Sequence, residues 1–195
     1  MPEFCILVFY MVVCFVYLHK MVLNMEVKDL SSRLKKDAIA LGLCNQWQKE
    51  WKDNEDKQSL IKKYFDGLDF PLKYHWPSNQ FIKENFEQNL LRKNNILVDD
   101  TRSLLNPAEA VVLGNSKATI RVNSQNSSII YIRDKSCVDI FAKNTAFVIV
   151  HVFEDASVKV KTFDTPRVLV LIHSEHTNIE ASQGVIIKKE LDYLK

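Results

Sequence analysis

From Gly114 to Gln183, apolar and polar positions recur with a period of ten. The seven units are GNSKATIRVN, SQNSSIIYIR, DKSCVDIFAK, NTAFVIVHVF, EDASVKVKTF, DTPRVLVLIH and SEHTNIEASQ, and in six of them the fifth, seventh and ninth places are almost all apolar. Alternation of this kind predicts a strand of about five residues with those three side chains on one face. The small or polar first three places, such as Gly114-Asn115-Ser116 and Asp134-Lys135-Ser136, supply the bend. A strand and a turn repeated at fixed period predict a β-solenoid, whose units bury their apolar side only by stacking. Leu104 to Leu113 fits as a poorer leading unit with Ala108, Ala110 and Val112 inward, giving about eight strands in all.

The outward places carry a second period. Ile129 with Tyr131, Ile149 with His151 and Leu169 with Leu171 alternate with Thr119 and Arg121, Asp139 and Phe141, and Lys159 and Lys161. One outer face is therefore apolar and the other polar, so the repeat is 20 residues, two strands and two turns, in about four coils. An outward column of Ile129, Ile149 and Leu169, flanked by Tyr131, Phe147 and Leu171, is the candidate interaction surface, because contiguous exposed apolar patches mark interfaces. Its expected cover is the chain's own helical module or a second copy of the protein. The last unit breaks register: Asn178, Glu180 and Ser182 would point inward, and a one-residue shift near residues 176–178 brings Ile179 and Ala181 in instead. Gly184 and the Val-Ile-Ile-Lys-Lys-Glu tail then read as a terminal cap with charges blunting the open edge.

Ahead of the array the period changes to that of helices, which predicts an α+β chain with a helical module at 25–94 and a solenoid domain with its C-terminal cap at 95–195. Val27, Leu30, Leu34, Ala38 and Leu41 form one stripe, ended by Gly42. Asn45 can cap a short helix with Trp47 and Trp51 on one face, and Asp56 to Asp66 reads as the next, stopped by Gly67. Pro71 and Pro77 bracket a turn or short helix, and Ser78 caps a last one carrying Phe81, Ile82 and Phe86. The aromatic residues follow helical spacing, so they read as the core of a small unit rather than a stacking platform.

Residues 1–24 form a separate segment whose run from Phe4 to Leu18 is uninterruptedly apolar. It reads as a signal peptide lacking a basic start and cleavage site, as a membrane anchor over residues 4–23 that holds the body in the cytoplasm, or as sequence upstream of a start at Met25. Lys+Arg total 26 against Asp+Glu 24, a balance that gives no whole-chain reason to expect nucleic acid and leaves room only for a local patch. Cys5, Cys14, Cys44 and Cys137 have neither zinc nor disulfide-scaffold spacing and read as free thiols.

No phosphate-loop, dinucleotide, serine-hydrolase or zincin motif is present, so no catalytic, cofactor or metal site is expected. His173 and His176 lie three apart but two ligands fall short of a zinc set, and they read as solvated turn histidines. Asp99-Asp100 reads as a turn, and Cys137 stands at an outward place without an activating charge pattern.

Leu43-Cys44-Asn45-Gln46-Trp47 with Trp51, Asp69-Phe70, His75-Trp76-Pro77-Ser78, Phe81-Ile82-Lys83 and Val98-Asp99-Asp100, followed by a decapeptide-like array, resemble small uncharacterised bacterial proteins often carried by prophages or mobile elements. The resemblance covers most of the chain after Met25 and carries over no catalytic residue. The function expected is a non-catalytic structural or protein-interaction role for a rigid solenoid surface, with an unknown protein partner or self-association. The alternative is a saccharide or receptor binder like those of phage appendages, with Phe141, Phe153, Phe163 and Tyr131 as stacking surfaces.

Overall fold

The computed structural model describes residues 29–123 and 125–193. The apolar run at 4–23, and with it the anchor reading, lies outside these residues. Among the described residues no helix is long and apolar enough to cross a membrane. Contacts divide the chain into two compact units that meet between Pro77 and Ser78.

In the first unit, α1 (residues 29–40) turns Leu30, Leu34 and Ala38 inward and ends in a Schellman motif. There Gly42, at φ 94°, donates to the Ile39 carbonyl and Leu43 to that of Ala38. Helix α2 (Asn45–Glu50) has Cys44, not Asn45, at its N-cap position, and no side chain caps it. Trp51 does not continue its face, because it leaves the helix in an extended conformation. The indole is drawn aside by burial and by its Nε1–H bond of 3.1 Å to Ser31 Oγ. Helix α3 (Lys57–Asp66) is capped by Asp56, which accepts the Ser59 N–H at 2.7 Å, and α4 (Asp69–Tyr74) follows. Trp76 packs at 6.2 Å from Trp51 and edge-on at 5.7 Å from Phe70. The aromatic residues are thus the packing of this unit, as their spacing implies.

The second unit opens with two helices. Ser78 caps α5 (Asn79–Asn85) by accepting the Phe81 N–H, but this is not the last helix: α6 (Gln88–Lys93) follows, and both pack against the first strand. These helices therefore belong with the coils rather than with the residues before Pro77. The strands are β1 (Ile96–Val98), β2 (Thr101–Leu105), β3 (Glu109–Leu113), β4 (Lys117–Val122), β5 (Ser127–Ile132), β6 (Cys137–Asn144), β7 (Phe147–Val152), β8 (Ser157–Asp164), β9 (Arg167–Ile172), β10 (Asn178–Ala181) and β11 (Ile186–Lys189). Odd-numbered strands form one parallel sheet and even-numbered strands the other, each stacked in sequence order. This is a parallel β-solenoid, with about four coils of the expected 20-residue length.

The register follows the repeat. Ala110, Ile130, Val150 and Val170 stack in one inward column of the odd sheet, and Ile120, Ile140 and Val160 in one of the even sheet, all buried. The predicted slip is present: Ile179 pairs with Val158 and Ala181 with Val160, so the last coil gains one residue before β10 and sets Ile179 against the core, while Ala181 is exposed on this edge strand. Two features differ from expectation. Ala108 is exposed rather than inward, and the stack begins earlier, with a shorter coil in which Ile96 pairs with Val111 and Thr101 with Lys117. The tail supplies one more rung, β11, paired with β9.

Turns on one side of the stack are held by an acid ladder. Gly114, Asp134 and Glu154 recur at 20-residue intervals with φ of 71°, 60° and 56°. The Gly114 N–H donates to Asp134 Oδ2 at 2.5 Å and the Asp134 N–H to Glu154 Oε2 at 3.2 Å. The rung before, Asp99, accepts the Asn115 N–H at 2.8 Å. A Cβ at Gly114 would press into Asp99 Oδ1, whereas one at Gly184, also left-handed at φ 90°, meets nothing. Gly114→Ala is expected to cost about 2 kcal/mol and Gly184→Ala about 1 kcal/mol, the difference being the collision. Urea denaturation of the two variants checks the ordering; equal costs would show that the turn yields freely.

Candidate interaction surface

Outward residues of the odd sheet line up as the 20-residue period demands. Ile129, Ile149, Leu169 and Ile186 occupy one column, and Tyr131, His151, Leu171 and Lys188 the next. Phe147 stands one step earlier, between Ser127 and Arg167. The structure thus brings the six candidate residues Ile129, Tyr131, Phe147, Ile149, Leu169 and Leu171 onto one face. Their exposure is uneven: Leu171 is buried, Ile129, Tyr131, Ile149 and Leu169 are half-buried, and Phe147 is 43% exposed. Ile186, which continues the column, is 58% exposed.

At the far margin of this face a stack of rings departs from the expected solvated histidines. Tyr131 lies on His151 at 4.7 Å, Phe153 on His173 at 4.5 Å, and Tyr193 on His173 at 4.5 Å. His151 Nδ1 is 3.0 Å from His173 Nε2, and His173 Nδ1 is 2.8 Å from the Glu190 carbonyl oxygen. A carbonyl only accepts, so His173 carries its proton on Nδ1, leaving Nε2 to accept from His151 Nδ1–H. Burial, with repulsion from His173 second, lowers His151 to about 4, and burial lowers His173 against the opposing pull of the Glu190 carbonyl. Both rings are neutral at pH 7. With both His173 nitrogens engaged and His176 exposed, the His-x-x-His pair does not form a ligand set. Phe153 is buried here, so it offers no outward stacking surface.

The two acids of the turn at 99–100 have structural partners. Asp99 is bonded to Lys83 and to the Asn115 N–H, which together hold its carboxyl below the usual range. Arg92 grips Asp100 with Nε at 2.8 Å and Nη2 at 2.7 Å, lowering it likewise. Neither carries a raised pKa suited to a general acid. Cys137 is exposed and free, as is Cys44.

The even sheet presents a polar outer face. Ser103, Thr119, Asp139, Lys159 and Glu180 form its middle column, where Lys159 Nζ meets Glu180 Oε2 at 2.5 Å. An open groove of about 540 Å³ runs along this column and its neighbour Lys117, Cys137 and Ser157. Beyond it lie Leu105, Arg121, Phe141 and Lys161, with Lys143 and Phe163 on the longer strands β6 and β8.

Fold and surface define the class: a parallel β-solenoid repeat protein with one apolar and one polar outer face. Set beside protein-family models, curated proteins and solved structures, the chain matches none.

Proposed function

We propose that this protein is a non-catalytic interaction protein whose stacked coils hold an apolar face rigidly for a second copy of the chain. The observation that supports this reading is the column Ile129, Ile149, Leu169 and Ile186 beside the exposed ring of Phe147. Parallel pairing fixes the spacing of these side chains at about 4.8 Å per rung, so the patch is preorganised and little conformational entropy is lost on docking. Repeat proteins use such surfaces for binding because each rung is held by its neighbours. One patch that pairs with itself closes a two-fold dimer, the commonest assembly of soluble chains.

Phe147 and Ile186 are the positions to change, since their exposure leaves the fold little affected. Light scattering of the full chain over a concentration series is expected to give a dimer for the wild type. A Phe147→Asp, Ile186→Asp double variant is expected to be monomeric, with stability within about 1 kcal/mol of the parent. A wild type that stays monomeric throughout, or a double variant that still dimerises, would refute the reading.

A further inference from the structure

The outer face of the even sheet combines three chemistries in a fixed array. On its margin Phe141 is flanked along the stacking direction by Arg121 and Lys161, whose cationic groups lie 5.5 and 5.8 Å from the ring centroid. Lys143 Nζ sits 5.1 Å from the ring of Phe163, which is 44% exposed. Thr119, Asp139 and Ser157 line the adjoining groove. The chain as a whole has a formal charge of only +2, yet Arg121, Lys143 and Lys161 gather on this margin, with Asp164 the acid next to Phe163 in sequence.

Each component suits one part of a sugar acid. The carbon–hydrogen face of a pyranose stacks on an exposed ring, and its carboxylate or sulfate pairs with Arg or Lys. Its hydroxyls bond to Ser, Thr and carboxylate side chains, for which Asp139 is the strong acceptor. Arg121 and Lys161 are two rungs apart, about 9.6 Å at the 4.8 Å strand spacing, which suits a chain with an acid group on alternate residues. Single-stranded nucleic acid would also stack and pair, but it offers few hydroxyls to the Ser, Thr and Asp139 side chains of the groove. A neutral glycan would make no use of the positive charge gathered on this margin.

We propose that this face is a binding site for an acidic oligosaccharide, stacked on Phe163, paired with Arg121, Lys143 and Lys161, and hydroxyl-bonded along the groove. The site is on the opposite sheet from the apolar column and does not depend on dimerisation.

Isothermal titration of the full chain with tetragalacturonate, a heparin tetrasaccharide, cellotetraose and an oligothymidylate tests it. Binding of either acidic tetrasaccharide with a Kd below about 1 mM is expected, and the better of the two tells carboxylate from sulfate recognition. Phe163→Ala is expected to weaken that binding about tenfold. Lys161→Gln and Lys143→Gln, at exposed positions that keep the test open should Phe163→Ala misfold, are each expected to weaken it about threefold and flatten its salt dependence. Phe147→Asp, on the other sheet, leaves it unchanged. No binding of either acid, equal binding of cellotetraose, tighter binding of oligothymidylate, or unchanged affinity in the lysine variants would overturn the proposal.

Discussion

Truncating Ile130 to Ala is expected to cost about 4 kcal/mol, whereas the same truncation at Ile187, in the same inward column, is expected to cost about 1 kcal/mol or less. The column runs Ala110, Ile130, Val150, Val170, Ile187, each side chain resting on the one a rung away. Ile130 is fully buried between Ala110 and Val150 and faces the inward side chains of the even sheet, so losing three carbons leaves a void walled by rigid strands. The small Ala110 above it cannot fill that void. Ile187 occupies the final rung, is 46% exposed, and has no strand beyond it among the described residues. Water already reaches it, so truncation removes less burial and encloses no cavity. Urea denaturation followed by circular dichroism measures both. Equal costs would mean that the last rung is covered as fully as the middle ones and that the stack does not end at β11.

The middle of this fold was legible because one period governs it. From Glu109 to Ile172 each strand of either sheet repeats 20 residues on, so outward columns such as Ile129, Ile149, Leu169 could be written down from the sequence. At the start the period fails: β1 and β2 pair after fifteen and sixteen residues, and their inward Leu97 and Leu104 do not fall at decapeptide places. The slip before β10 could be read because inward Asn and Glu would be costly without partners. Trp51 could not, since its departure from α2 is dictated by a bond to Ser31, twenty residues earlier. His173 escapes the local pattern for a related reason. Its neighbours in sequence suggest a polar turn, while its actual partners, His151 and Glu190, are 22 and 17 residues away. The 20-residue period already placed Phe153 and His173 side by side, and that was the usable signal.

Acid is expected to loosen this protein well above the pH at which its carboxylates titrate, and the histidine pair is the reason. In the unfolded chain a histidine takes up its proton near pH 6.5, but in the folded protein His151 does so only near 4. Between those values the unfolded chain binds more protons, so stability falls as pH drops from 6.5 to 4 and this group contributes no further loss below. The shift corresponds to about 2 to 3 kcal/mol after allowance for the solvent that reaches the ring. His173, lowered in the same direction, adds to the loss as the pH falls below 6.5. The lowered carboxyls of Asp99, Asp100 and Asp134 act in the range below, where the folded state keeps them ionised as the unfolded chain takes up protons. A second proton on the pair would set His173 Nε2–H against His151 Nδ1–H, so the turn carrying Glu190 and Tyr193 should loosen first. His151→Phe keeps the ring stack but removes the titrating group, at a neutral-pH cost of about 1 kcal/mol for the bond lost to His173. Urea midpoints at pH 7.5, 6.5, 5.5 and 4.5 should fall steeply for the wild type and far less for that variant. Parallel pH dependence in the two proteins would locate the acid sensitivity elsewhere.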